Sequence, residues 1–308
     1  MSRKEYFMLI MTHHTLFLCI ILFFFSACTQ EKWIPIYEGE KELSLKHYLG
    51  IPDSSIKDLD LPKDSLGNYI SGLGYEDPLE VFSIIHEGEE NLIRISGQVI
   101  GGLILRDSLS DYHLRLQFRW GDIKWDWMQG RPKDGGILYH QGKGPIRHEL
   151  QIHQGDVGSY WARQLKLGIP SRLTTDLPQA IQKAKPYLVP YVSTLRDTMR
   201  VFDPEAEVYQ FEGKDEWQIV MARPYNENPA GEWNTLEVIC WENHAVHIVN
   251  GKVNLVLLNS MYKENDAWVP LNSGRLTLQS EGAEIFFREI YYREVNQTPE
   301  ELIKYLAK

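Results

Sequence analysis

Between residues 112 and 120 the chain alternates without a break. Tyr112, Leu114, Leu116, Phe118 and Trp120 fall on one side of an extended backbone, and His113, Arg115, Gln117 and Arg119 on the other. A period of two is the signature of a half-buried strand. Strand-like runs recur at Leu92 to Ser96, Gly101 to Leu105, Gly135 to His140, Trp233 to Trp241, Ala245 to Val249, Lys252 to Leu258, Arg275 to Gln279 and Glu284 to Tyr292. Asn250-Gly251 sits between two of them and predicts a hairpin, because both residues tolerate positive φ. Gly282 predicts the turn between the last two. Many closely spaced strands with few helices predict an all-β sandwich or barrel. Two short helices are expected. One runs from Asp176 to about Lys185. The other runs from Pro299 to Leu306, with Thr298 as N-cap and Glu301 closing a capping box. The stretch from Leu165 to about Pro229 is rich in proline and mixed charge. It reads as a long insertion walling one side of a groove, since loops of that length are uncommon without function.

The segment Arg147 to Gln154 reads R-H-E-L-Q-I-H-Q. Alternation puts His148, Leu150 and Ile152 on one face and Glu149, Gln151 and His153 on the other. A carboxylate, an amide and an imidazole in a row are poor core material, because burying them unpaired is costly. They suit the handling of a polar substrate. The alternative is a solvated face without function.

The chain has 308 residues, 43% hydrophobic and 24% charged, as in ordinary globular proteins. Its aromatic content of 12%, with nine Trp, suits both a sandwich core and sugar stacking. Arg3 and Lys4 precede the apolar run Leu16 to Phe25, and Phe25-Ser26-Ala27-Cys28 follows. That order predicts a secretory leader over residues 1–27. A Cys after the small pair resembles a bacterial lipobox, with Cys28 as the lipidated first residue. A simple anchor or an ordinary secretory signal is the alternative. The expected organisation is then a tether and entry to the fold over 28–44 and a single domain over 45–308, with the insertion at about 165–229, held to the cell envelope by acyl chains on the periplasmic face or the outer surface. The net charge is −10, and an acidic surface argues against nucleic acid as a partner. No obligate protein partner is evident. Once the leader is gone and Cys28 is acylated, Cys240 alone remains of the three cysteines. No disulfide is expected within the chain, and Cys240 reads as a small buried apolar residue.

The ordered strands resemble a bacterial family of 3-keto-disaccharide hydrolases, also described as 3-keto-glucoside 1,2-lyase/hydratase domains and formerly as DUF1080. The resemblance rests on Tyr112 to Trp120, Asp134-Gly-Gly-Ile-Leu-Tyr139, His148-Glu-Leu-Gln-Ile152 and Gly158-Ser-Tyr-Trp161. It continues through Gly231-Glu-Trp-Asn-Thr235, Val246-His-Ile-Val-Asn-Gly251, Gly274-Arg-Leu-Thr-Leu-Gln279 and Phe287-Arg-Glu-Ile290. It covers roughly Trp33 to Val295. It implies a concanavalin A-like jelly-roll sandwich of two curved antiparallel sheets, here with a long insertion and a short C-terminal helix. It also implies an active concave face and cleavage of 3-keto-glycosides in carbohydrate catabolism. Three positions depart from the family pattern. His153 and Gln154 stand where an apolar residue and an Asp are usual, and Glu281 stands where a His is usual.

Cleavage of a 3-keto-glucoside by elimination needs a base for the C2 proton, a donor for the leaving oxygen and polarisation of the enolate oxygen. Glu149 is the candidate base, His153 a candidate proton donor, and Gln151 a partner for a sugar hydroxyl or the keto oxygen. Arg119 and Arg163 are candidates for enolate stabilisation. Tyr139, Tyr160 and Trp161 are candidates for substrate contact, as are Trp125 and Trp127 from a loop. Gln279 and Glu281 are expected to complete the pocket. No cofactor is expected. A divalent metal is a possibility raised by His140, His148, Glu149 and His153, although alternation separates His148 from His153. There is no Gly-x-Ser-x-Gly elbow and no phosphate-binding glycine loop. The Glu-x-Asp-x-x-Glu set of jelly-roll endoglucanases is also absent. The competing reading is a non-catalytic carbohydrate-binding lipoprotein on the same fold.

Overall fold

Strands that bury one side chain in two need a second layer to bury them against, and the chain supplies it by pairing into two sheets. The computed structural model describes residues 32–37, 46–128, 130–142, 144–177, 179, 182 and 198–307. The leader, Cys28, most of the tether and most of the helix expected over 176–185 lie outside the described residues. The smaller sheet has five strands in the order Lys46–Leu49, Gly101–Leu109, Gly274–Ser280, Asp134–Gln141 and His148–His153. The larger has fourteen. Its central run is Phe82–Glu87, Glu90–Ile95, Ala283–Glu294, Tyr112–Lys124, Asn234–Trp241, His244–Val249, Lys252–Glu264 and Leu165–Thr174. The fold is thus an all-β jelly-roll sandwich.

The core lies between the sheets. Leu103, Ile137, Leu150, Ile152, Leu276 and Leu278 come from the smaller sheet, and Leu114, Leu116, Phe118, Leu236, Val238, Leu255 and Phe287 from the larger. All are fully buried, each contributing about 1.5–3 kcal/mol relative to exposure. Asn250 and Gly251 adopt φ of 47° and 75° and close a two-residue hairpin in which Val249 pairs with Lys252. Cys240 is buried and free.

Residues Ile34–Tyr37, within the tether and entry to the fold, form a strand against Ala283–Glu294. Two sequence expectations are corrected here. Leu165–Thr174, expected to open an irregular insertion, is a ten-residue strand of the larger sheet, paired to Lys252–Glu264. Met199–Phe202, Val208–Glu212 and Gln218–Met221 also belong to the larger sheet. The C-terminal helix spans Glu300–Leu306 with Pro299 as N-cap and no side-chain cap bond. Thr298 therefore lies one residue too early to cap it.

The core also holds a polar seam. Nδ1 of His247 donates to the Gly158 carbonyl at 3.0 Å, which leaves Nε2 to accept from the Tyr139 hydroxyl at 2.7 Å. Nδ1 of His148 meets the Tyr160 hydroxyl at 2.7 Å. Burial holds His247 down at about 4, so it stays neutral. Tyr139→Phe removes the donor and strands a buried ring nitrogen. It is expected to cost about 1–3 kcal/mol, read as a lower midpoint in thermal or urea denaturation at pH 7.

Candidate active site

Register assembles the site on the outer face of the smaller sheet. In the Asp134–Gln141 and His148–His153 pair, Asp134 stands opposite His153, Gly136 opposite Gln151 and Leu138 opposite Glu149. On the other edge Thr277 stands opposite Leu138, and a backbone bridge joins Asp134 to Glu281. Residues directly opposite one another share a face. Glu149, Gln151 and His153 therefore meet Asp134, Gln279 and Glu281. Leu150 and Ile152 point the other way into the core. Gly136 lets them converge. A Cβ built there would lie 2.7 Å from Oε1 of Gln279 and 3.0 Å from Oε1 of Glu149.

The polar atoms are only partly satisfied. Gln279 Nε2 donates to Glu281 Oε2 at 2.5 Å, and Gln151 Nε2 donates to Asp134 Oδ1. The Gly135 N–H donates to the same oxygen at 2.8 Å. Arg147 Nη2 faces Glu149 Oε2 at 3.5 Å. Arg147 Nε, Gln279 Oε1, His153 Nδ1 and Trp127 Nε1 are buried without a partner. Trp127 packs beside the Gly282 turn that follows Glu281. Buried polar atoms are normally paired, and Arg147 Nε, Gln279 Oε1 and His153 Nδ1 depart from that rule within one cluster.

Burial and crowding set the acidities. Burial pushes Glu149 up, and Arg147 opposes the shift. Glu281 is pushed up to about 7, first by burial and then by the Glu149 charge, with Arg147 and Arg131 opposing. Asp134 is held well above the usual carboxylate range by burial, with Glu281 and Glu149 adding to it. Three carboxyl groups this close do not all ionise together. Burial holds His153 down at about 4. It is therefore neutral near pH 7.

Other expected residues fall elsewhere. Tyr139 and Tyr160 are fully buried in the polar seam between the sheets and cannot touch a ligand on the outer face. Arg119 lies on the larger sheet, paired to Glu87 at 2.9 Å and stacked over Trp233 and Phe286. Trp161 packs with Trp217 against a small second core of Leu177, Met199, Val201, Ile219 and Met221, and Arg163 lies over the Trp217 ring. Trp125 is tied by its indole N–H to the Ser96 carbonyl. His140 and His148 are buried with Tyr139, on the side of the sheet away from His153. The four expected metal donors are thus divided between two faces. Among the described residues no group of three His, Cys, Asp or Glu is placed to hold a metal ion. Asp134 and Arg147 were not expected. Extending the alternation of Glu149, Gln151 and His153 back by two would have found Arg147.

Residues 74–293, more than half of the chain, match the 3-keto-alpha-glucoside-1,2-lyase-like domain. The chain belongs to this family. Family membership makes it a carbohydrate-related domain, with a small carbohydrate as the class of ligand. No curated protein matches the chain. Similar solved structures include a protein from Parabacteroides distasonis ATCC 8503 provisionally named a glycosyl hydrolase, with 15% identity, 71% of this chain and 92% of that one covered, and a TM-score of 0.40. The carbohydrate-binding module CBM66 of Bacillus subtilis is 9% identical over 69% of this chain and 92% of its own, with a TM-score of 0.37. Domain 4 of the extracellular arabinanase AbnA of Geobacillus stearothermophilus, solved with arabinotriose, is 12% identical over 84% and 98%, with a TM-score of 0.35. Every residue of the site lies inside the matched family domain. The edge strand Lys46–Leu49 precedes it.

Proposed function

We propose that the chain cleaves 3-keto-glycosides by elimination followed by hydration, a net hydrolysis. The observation that carries this reading is the cluster of Glu149, Glu281 and Asp134 beside the unpaired Arg147 Nε and Gln279 Oε1. A ketone at C3 acidifies the C2 proton, and Glu149 takes it. The electron pair moves into the enolate, whose oxygen the Arg147 guanidinium stabilises. Collapse of the enolate forms the C1–C2 double bond and breaks the bond from C1 to the leaving oxygen, which takes a proton from Glu281. Water then adds at C1, giving its proton to Glu281, while Glu149 returns its proton to C2. The sum is glycoside plus water to 3-keto sugar plus alcohol, with both carboxyl groups restored. Gln279 Oε1 is free to accept from a sugar hydroxyl, and Gln151 holds Asp134 in place.

The test is turnover of a 3-keto-glucoside against its unoxidised parent. Release of aglycone from the keto form alone supports elimination. Equal cleavage of both points to ordinary glycoside hydrolysis, and sugar binding with no cleavage of either points to a binding module. We place the protein in the cell envelope, anchored through Cys28, on the leader and the small residues before it. Cys28→Ser is expected to move it from the membrane fraction to the soluble envelope fraction, and unchanged partition would sink the anchor.

A further inference from the structure

The row of side chains through Gln279 continues beyond the acid cluster. Gln279 stands opposite Gly102, and Gly102 opposite Tyr48. The pairing of Leu278 with Ile137 sets Gln279 opposite Gly136, which faces Gln151. One row therefore crosses all five strands as Tyr48, Gly102, Gln279, Gly136 and Gln151, on the same face as Glu149. The Thr277 side chain packs over Gly102, and those of Gln279 and Glu149 pack over Gly136. At the far end Tyr48 is 52% exposed and Tyr75 is 75% exposed. Their rings meet edge to face, 5.9 Å between centroids and 76° between planes. This pair does not ride on a loose loop. Leu49 and Gly74 exchange backbone hydrogen bonds of 2.8 and 2.9 Å, which pin Tyr75 beside Tyr48.

Fixed aromatic rings open to water suit the flat apolar face of a sugar, while neighbouring amides and carboxylates take its hydroxyls. Direction follows from strand order. The Glu149 strand lies at one edge of the sheet, Glu281 follows the central strand, and Tyr48 lies at the other edge. Glu281, which protonates the leaving oxygen, therefore stands between the base and the tyrosines. From the Gln279 strand to the Tyr48 strand is two strand spacings, roughly 10 Å, within reach of a ring attached through that oxygen. We infer that Tyr48 and Tyr75 form a subsite for the ring of the leaving group, built partly from residues that precede the family domain. This inference rests on the elimination reading for its direction, but its binding energy does not depend on turnover.

The experiment compares ligands with one and two rings. Calorimetric Kd values would be measured for a methyl glucoside, a phenyl glucoside and a glucosyl disaccharide, and kcat and KM for their 3-keto forms. The wild type is expected to favour the two-ring ligands. In Tyr48→Ala, Tyr75→Ala and the double variant the ratio of one-ring to two-ring Kd should collapse by about tenfold, with KM rather than kcat carrying the change. Tyr48→Phe should retain the ratio. Collapse for the disaccharide but not the phenyl glucoside assigns a sugar ring, and collapse for both assigns any flat ring. A ratio unchanged in the double variant overturns the subsite and leaves the elimination reading standing. A collapsed ratio in a protein that turns over no keto substrate removes the elimination reading and keeps the subsite. Binding of neither two-ring ligand by the wild type overturns it.

Discussion

Glu149→Gln is expected to lower kcat on a 3-keto-glucoside by about three orders of magnitude, within the range for removing a general base. The amide keeps the volume of the carboxylate over Gly136 but cannot take the C2 proton. Kd for the substrate should change little, because Glu149 makes one contact among several on this face. Folding should not suffer either. A buried carboxylate that faces Arg147 at 3.5 Å carries a desolvation cost that the amide lacks. The measurement is aglycone release and loss of ketone under single-turnover conditions, with substrate binding followed in parallel. A kcat within a few-fold of wild type would remove Glu149 from the role of base.

Glu281→Gln is expected to have two effects of opposite sign. With an alkyl or sugar leaving group, kcat should fall about 10²–10⁴-fold, since no acid meets the leaving oxygen. With a nitrophenyl leaving group, which departs as a stable anion, the loss should be much smaller. The fall in wild-type activity above about pH 7, where Glu281 gives up its proton, should disappear with it. Stability should move the other way. The folded value near 7 lies above the ordinary 4.5 of the unfolded chain, so between those values the fold binds the proton more tightly. Stability from this group is therefore lost as pH rises from 4.5 through 7. Above pH 7 the variant should exceed wild type by on the order of 1–3 kcal/mol, and below pH 4.5 the two should coincide. Urea denaturation at pH 4.5 and pH 8 checks it. Equal stability at both would mean that Glu281 is not desolvated.

The parts of the fold that could be read from sequence were those in which one strand face meets the core. Tyr112 to Trp120 is legible because its alternate residues are buried against the other sheet, and Asn250-Gly251 because its φ values admit few other residues. The same alternation put Glu149, Gln151 and His153 on one face, and Gln279 and Glu281 were expected beside them from a second strand end. It missed Asp134, whose place depends on pairing with His153 and bridging to Glu281, and register between strands is not written in either strand alone. Tyr139 was misplaced although it alternates with Ile137, which points into the core. Tyr160 sits in a three-residue strand, too short to show a period. Leu165–Thr174 was hidden by Gly168 and Pro170, which read as breakers. Gly168 is there because a Cβ would lie 2.6 Å from Cγ1 of Val208 on the neighbouring strand. The acidity of Glu281 is set by burial and by Glu149, a neighbour more than a hundred positions away in the chain.

The polar seam has a consequence for how such a protein can change. His148 and Tyr139 reach inward to Tyr160 and His247 from the two strands that carry Glu149 and Gly136 outward. A slip of either strand by one residue would break those bonds and turn the acids into the core. Alignment of the candidate site is thus guarded from behind, by the buried residues of the seam. Substitutions on the outer face are thereby uncoupled from the alignment that presents them. A lineage could revise its substrate there without first having to rebuild its scaffold.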